Sequence, residues 1–363
     1  MSEIKLNPGR LRQFGDTKGL HFRVVTSASI ASHIVIAGDD AYASREVNII
    51  GSMEDFQVLL ASSVIPERSH ILVIAPDVFF QSPRPELLGP HRKLMVMACN
   101  STPTSIDTIA YFIKTMEEDT DPEDQKRRTD RFFEEGEASE HFLFRNSQHD
   151  TEAVFRHLDD SYLWNEQTGY IDWGEQQIAP AGEISVLPLD IQQFNEDLRL
   201  DINGRLALQG QCVLHNGTPS YLRSDQQRIF EALDAIHEHA LIADVNKGQI
   251  TALRETHPGA LPARKMLEAM FEVDSRYSVI WEIGFAVNCG LQIRRGNHAM
   301  NEVYGGRNGA MHWGLGLTPY TQYHLDIITP GTVIHNHRND IIFGEAQPRM
   351  RRERELGCGC HAA

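Results

Sequence analysis

The sequence is poor in cysteine, in basic charge and in long apolar runs. Five cysteines in 363 residues, an odd number in a long chain, do not suit a disulfide-stapled secreted fold. No stretch approaches the roughly 18 apolar residues of a membrane-spanning helix. The N-terminus, MSEIKLNPGR, lacks the apolar core of a signal peptide. Lys and Arg number 34 against 50 Asp and Glu, a formal charge of −16. Neither nucleic acid nor a membrane is therefore an expected partner, because both need a positive footprint. The expected location is the reducing cytoplasm. No G-x-G-x-x-G follows the first apolar run, so no dinucleotide site is expected.

What is present is a hydrophobic fraction of 41% and a length that suits two domains. HIVIAG from His33, HILVIAP from His70 and KLMVMAC from Lys93 are short, nearly continuous apolar runs closed by Gly, Pro or Cys. Such runs predict strands buried on both faces of a parallel sheet. SMEDFQVLLASSV, with Phe56, Val58, Leu59 and Leu60, and SIDTIAYFIKTMEE, with Ile106, Ile109, Ala110 and Ile113 on one face, predict helices beside it. The charge-dense residues 117–140 read as a solvated helix or loop anchored by Phe132 and Phe133.

From Trp164 onward the texture becomes β-like. GYIDWGEQQIAPAGEISVLPLD and DLRLDINGRLALQGQCVLHNG carry the Gly, Pro and Asn-Gly punctuation of strands and hairpins. One helix interrupts them, opening with Ser224 and Gln227 at capping-box spacing, and PARKMLEAMFEVD predicts a second. The expected fold class is α/β: a parallel-sheet α/β domain over 1–165, then a β-rich α+β domain over 166–345, then a basic, cysteine-containing tail over 346–363.

Candidate metal ligands gather in the later part. His324 and Asp326 in HWGLGLTPYTQYHLDI are two apart, so on a strand they share a face. His312 lies on the preceding run, and the loop containing Pro319 can fold it back beside them. Glu282 in WEIGF is a carboxylate in apolar surroundings, costly to bury alone. Glu183 follows a glycine at a turn in APAGEISVLP. Three of the five have a separate structural use: Asp326 as a turn cap, Glu282 paired with Arg294 or Arg295, His312 as a satisfied core histidine. Together they suit iron, zinc, cobalt or manganese. His237 and His239, two apart on a helix, make no H-E-x-x-H site. His298, His335 and His337 read as loop or surface residues. Cys358, Cys360 and His361 are soft donors in what reads as a disordered tail. Arg349, Arg351, Arg352 and Arg354 there offset an acidic surface.

PAGEISVLP, WEIGFAVN, GAMHWGLG and YHLDII together resemble, in order, the metal-ligand motifs of thermophilic-type metalloaminopeptidases. The dihydroxypyridine ring-cleaving dioxygenases are similar in fold. The resemblance covers roughly residues 170–345. It implies an α/β domain followed by one with a dinuclear metal site, ligated by Glu183, Glu282, His312, His324 and Asp326. Zinc, cobalt or manganese would serve a hydrolase, and iron an oxygenase. Glu183 or Glu302 would shuttle protons.

The chain departs from that pattern in four places, the first being the Ser224 helix, which resembles an insertion between the strands. The His312–His324 spacing is short. Neither Tyr320 nor Tyr323 matches the family's rim tyrosine. NEVYGGRNG supplies Glu302 but no lysine. The expected activity is metal-dependent hydrolysis of a peptide or amide. The alternatives are a non-haem iron dioxygenase and a non-catalytic peptide binder whose metal has been lost. The last resembles the accessory proteins of ribosomal-peptide natural-product pathways such as crocagin biosynthesis. The expected partner is a peptide or small-molecule substrate, and a homodimer is compatible with the chain.

Overall fold

The computed structural model describes residues 3–38, 41–97, 105–178, 182–189, 191, 195, 197–291 and 309–345. The first part contains strands β1 (Ile4–Leu6), β2 (His21–Ser27), β3 (Ile34–Ile36), β4 (Ser44–Ile50), β5 (Ser69–Ile74) and β6 (Arg92–Val96). Helices α1 (Ala28–Ala31), α2 (Met53–Ala61), α3 (Pro85–Leu88), α4 (Ile106–Glu118) and α5 (Pro122–Glu137) follow or connect them. Next come β7 (Phe142–Asn146), β8 (Thr151–Phe155), β9 (Tyr162–Gln167), β10 (Gln176–Gln177) and β11 (Glu183–Pro188). After β12 (Ile202–Leu208) and β13 (Gln211–Asn216) lie α6 (Arg223–Leu233), β14 (Leu241–Asn246), β15 (Gln249–Glu255) and α7 (Leu261–Val273). The final strands are β16 (Ile280–Ala286), β17 (Ala310–Leu315), β18 (Tyr323–Thr329), β19 (Val333–His335) and β20 (Ile341–Phe343).

The expected parallel sheet is present, in the order β10-β6-β5-β2-β4. One face buries Phe22, Val24, Leu72 and Ile74 beneath Ile109, Phe112 and Ile113 of α4. The other buries Val25, Ile71 and Val73 beneath Phe56 and Leu60 of α2. Covering both faces is what makes these strands continuously apolar. The run at His33 is the exception: β3 pairs with β1 in a separate two-stranded sheet, and β2 and β4 take the places beside β5. Being half-polar, β2 and β4 gave a weaker periodic signal.

His70 lies fully buried in β5, stacked on Phe14 at 4.7 Å and hydrogen-bonded to the Tyr42 hydroxyl at 2.8 Å. Burial, helped by the Lys93 ammonium, pushes its pKa from 6.5 down to about 3. The unfolded chain therefore binds a proton that the folded chain refuses. Stability from this group is complete above pH 6.5 and falls as pH drops toward about 3, by up to about 1.4 kcal/mol per pH unit. Denaturant midpoints of His70→Phe should lose less on acidification than those of the parent. Equal slopes would refute the assignment.

Two antiparallel sheets form the later part. One has the order β13-β18-β17-β16-β11-β9 and the other β15-β14-β12-β8-β7-β19-β20, with antiparallel pairing throughout both. They bury a shared core that includes Phe144, Phe155, Ile184, Phe285, Trp313 and Leu325. Ahead of residue 165, β7 and β8 pair into the second of these sheets, and Phe132 of α5 packs on Phe285 at 4.8 Å. Conversely, β10 pairs back with β6 of the parallel sheet.

Consecutive strands β12 and β13 do not pair with each other. These strands join different sheets, and the chain crosses between them at Gly210. A Cβ there would lie 2.0 Å from the Ile328 carbonyl oxygen. Ser224 does not cap α6, whose N-cap is Leu222. Among the described residues, no helix is long and apolar enough to cross a membrane.

Candidate metal centre

Alternation along the six-stranded sheet sorts its residues onto two faces. Trp313, Leu315, Leu325 and Ile327 enter the shared core. Their neighbours His312, Gly314, His324 and Asp326 therefore point the other way. The short 312–324 spacing makes β17 and β18 adjacent antiparallel strands, with Gly314 opposite Asp326. On the other side of β17, Glu282 lies opposite Gly314 and Gly284 opposite His312. Glu183 is the first residue of β11, not part of the preceding turn.

The glycines of this stretch have a steric function. A Cβ on Gly284 would lie 1.9 Å from His312 Cε1, and one on Gly314 would lie 2.7 Å from Glu282 Cβ and 3.0 Å from His324 Cε1. Both are spaces that imidazole and carboxylate groups fill.

All five candidate ligands in the described residues converge. His312 Nε2 is 3.4 Å from Glu183 Oε1 and 3.7 Å from Asp326 Oδ1. His324 Nε2 is 3.4 Å from Glu282 Oε2 and 3.0 Å from Asp326 Oδ2. Donor atoms of Glu183, Glu282 and His312 lie within 4.8 Å of one another, as do those of Glu282, His324 and Asp326. Glu282 is common to both groups, and Asp326 turns one oxygen toward each histidine.

Electrostatics couple these residues strongly. Burial alone would favour the neutral ring of His324. The charge and hydrogen bond of Asp326, with those of Glu282, outweigh it and hold the pKa well above its ordinary value. Burial likewise opposes ionisation of Asp326, yet His324 and His312, with hydrogen bonds from His215 and His324, hold its carboxyl well below the usual range.

The donor set fits a divalent metal. Separations of 3.0–3.7 Å resemble the edges of a coordination shell, about 3.0–3.4 Å for bonds of about 2.1 Å. His324 Nδ1 lies 3.2 Å from the Leu315 carbonyl, to which it donates; once an ion displaces the Nε2 proton, the Nε2 lone pair would face the carboxylates, the tautomer a metal-binding imidazole needs. Asp326 Oδ1 is buried and accepts no hydrogen bond among the described residues, a cost that an ion would remove.

Sequence reasoning missed His215. On β13, it lies in register with His324 and places Nε2 3.1 Å from Asp326 Oδ2. Its only sequence signal was an i, i+2 alternation with Val213 on an apolar strand. Neither tyrosine of the β17–β18 loop joins the centre: Tyr320 is exposed beneath Arg276, and Tyr323 donates to Asp225 at 3.0 Å. His239 packs against His257 instead, with ring centroids 4.1 Å apart. Glu302, Arg294, Arg295, His298, the tail arginines, Cys358, Cys360 and His361 lie outside the described residues.

No family model matches the sequence, and no curated protein matches it. Among solved structures, 2,5-dihydroxypyridine dioxygenase from Pseudomonas putida KT2440 superposes with a TM-score of 0.52. The alignment covers 91% of this chain and 94% of that one at 13% identity. This chain is similar to it in fold. Wild-type AmpT from Thermus thermophilus aligns over 92% of this chain and 96% of its own, with 9% identity and a TM-score of 0.41.

Proposed function

We propose that the protein is a metal-dependent hydrolase of a peptide or amide substrate, with a centre for two divalent ions. The observation that carries this reading is the pair of donor groups joined through Glu282, with Asp326 presenting one oxygen to His312 and the other to His324. Glu183 and His312 would hold one ion, and His324 the other. Zinc, cobalt or manganese would supply an activated water and polarise the substrate carbonyl. Glu183, 7% exposed at the start of β11, would accept a proton from that water on the carboxylate oxygen that does not hold the ion.

A single-iron oxygenase is the second reading. The fold likeness to 2,5-dihydroxypyridine dioxygenase favours it, as do His312, His324 and Asp326, a two-histidine, one-carboxylate set. It leaves both glutamates without a part. A retired centre in a peptide-binding accessory protein, of the kind used in ribosomal-peptide pathways, is the non-enzymatic alternative. The proposed partner in either enzymatic case is a small substrate, without nucleic acid or membrane.

Metal counting and activity distinguish the three. Protein equilibrated with zinc, cobalt or manganese should bind two ions per chain and release amino acids slowly from short peptides. One iron per chain with ring cleavage of a dihydroxypyridine would replace hydrolase by oxygenase. Peptide binding that survives chelation, without turnover under either loading, would leave the accessory protein.

A further inference from the structure

Asp326 Oδ2 lies between two imidazoles. His324 Nε2 approaches it at 3.0 Å from the same strand, and His215 Nε2 at 3.1 Å from β13. The two rings are 5.6 Å apart and 23° from parallel. We propose that His215 is a positioning residue of the metal centre, donating Nε2–H to Asp326 Oδ2 and fixing the orientation of that carboxylate. This rests on the metal-centre reading above.

His215 belongs to neither donor group, so its ring reaches the ligand carboxylate rather than the place an ion would occupy. The residue of β13 directly opposite Asp326 is Val213, which offers only hydrocarbon. A hydrogen bond from β13 to Oδ2 therefore depends on the residue two positions along, which shares its face. With Oδ2 anchored, the carboxylate cannot rotate freely, and Oδ1 stays directed at His312. The ring of His215 also braces His324 from the side opposite Glu282. Partners of this kind set the orientation of a ligand and typically contribute about 10–100-fold to metal affinity.

The test is titration of metal-free, full-length protein with cobalt(II), followed by its visible absorption. Parent, His215→Ala and His215→Gln would be compared, with melting curves of each metal-free protein. His215→Ala should bind cobalt about 10–100-fold more weakly with an altered spectrum, at an unchanged melting temperature. His215→Gln, whose amide N–H can replace the donor, should recover much of the loss. Parent-like affinity and spectrum in His215→Ala would overturn the inference while leaving the metal centre intact. A loss that glutamine does not rescue, accompanied by lower melting of the metal-free chain, would make His215 a packing residue and also overturn it. Absence of cobalt binding by the parent would remove both this inference and the reading beneath it.

Discussion

His324→Ala should strip the protein of metal and leave it folded. The side chain is 12% exposed and lies on the sheet face away from the shared core, so its loss opens no void among Trp313, Leu325 and their neighbours. What it removes is the imidazole between Glu282 and Asp326, leaving two carboxylates opposed without the nitrogen that binds both. The loss of affinity should exceed the roughly 100-fold typical of an outer partner, because a direct donor disappears. Elemental analysis after gel filtration measures this, and circular dichroism reports the fold. Equal metal content in parent and variant, with Cys358 and Cys360 present, would place the metal elsewhere.

Gly284→Ala should damage both the centre and stability. The added methyl would occupy the position of the His312 ring, 1.9 Å from Cε1 and 2.1 Å from Nε2. Since His312 is 2% exposed, the ring has no open solvent into which to turn. Overpacking of this sort costs about 1–3 kcal/mol, read as a lower urea midpoint. Displacement of His312 should also remove one of the two ions. Gly38→Ala is the control, because a Cβ there meets nothing within 4 Å. If both variants kept the parent midpoint and metal content, the close approach of Gly284 to His312 would be wrong.

Particular residues show why some of this was legible in the chain. The runs at His70 and Lys93 became β5 and β6 because strands buried on both faces need side chains apolar at every position. His324 and Asp326 shared a face because strand periodicity is local. The pairing of β12 was not legible: nothing in the punctuation around Gly210 tells that this glycine lets the chain cross between sheets against Ile328. Nor was the pairing of β7 with β19 and of β8 with β12 legible, because those partners lie far along the chain. Capping-box spacing at Ser224 failed for a related reason. Arg223 hydrogen-bonds the Pro76 carbonyl at 3.0 Å, and α6 begins at Arg223, one residue ahead of the serine.

The sequence by itself determined the types of donor available, their faces on individual strands and the glycines that leave room beside them. These follow from side-chain chemistry and a two-residue repeat. Only the tertiary structure decided which donors meet. The hydrogen-bonded register sets Gly314 against both Glu282 and Asp326, divides the Asp326 oxygens between His312 and His324, and brings His215 from an edge strand more than a hundred residues away. Register depends on pairing between distant segments, and no local pattern along the chain carries that information.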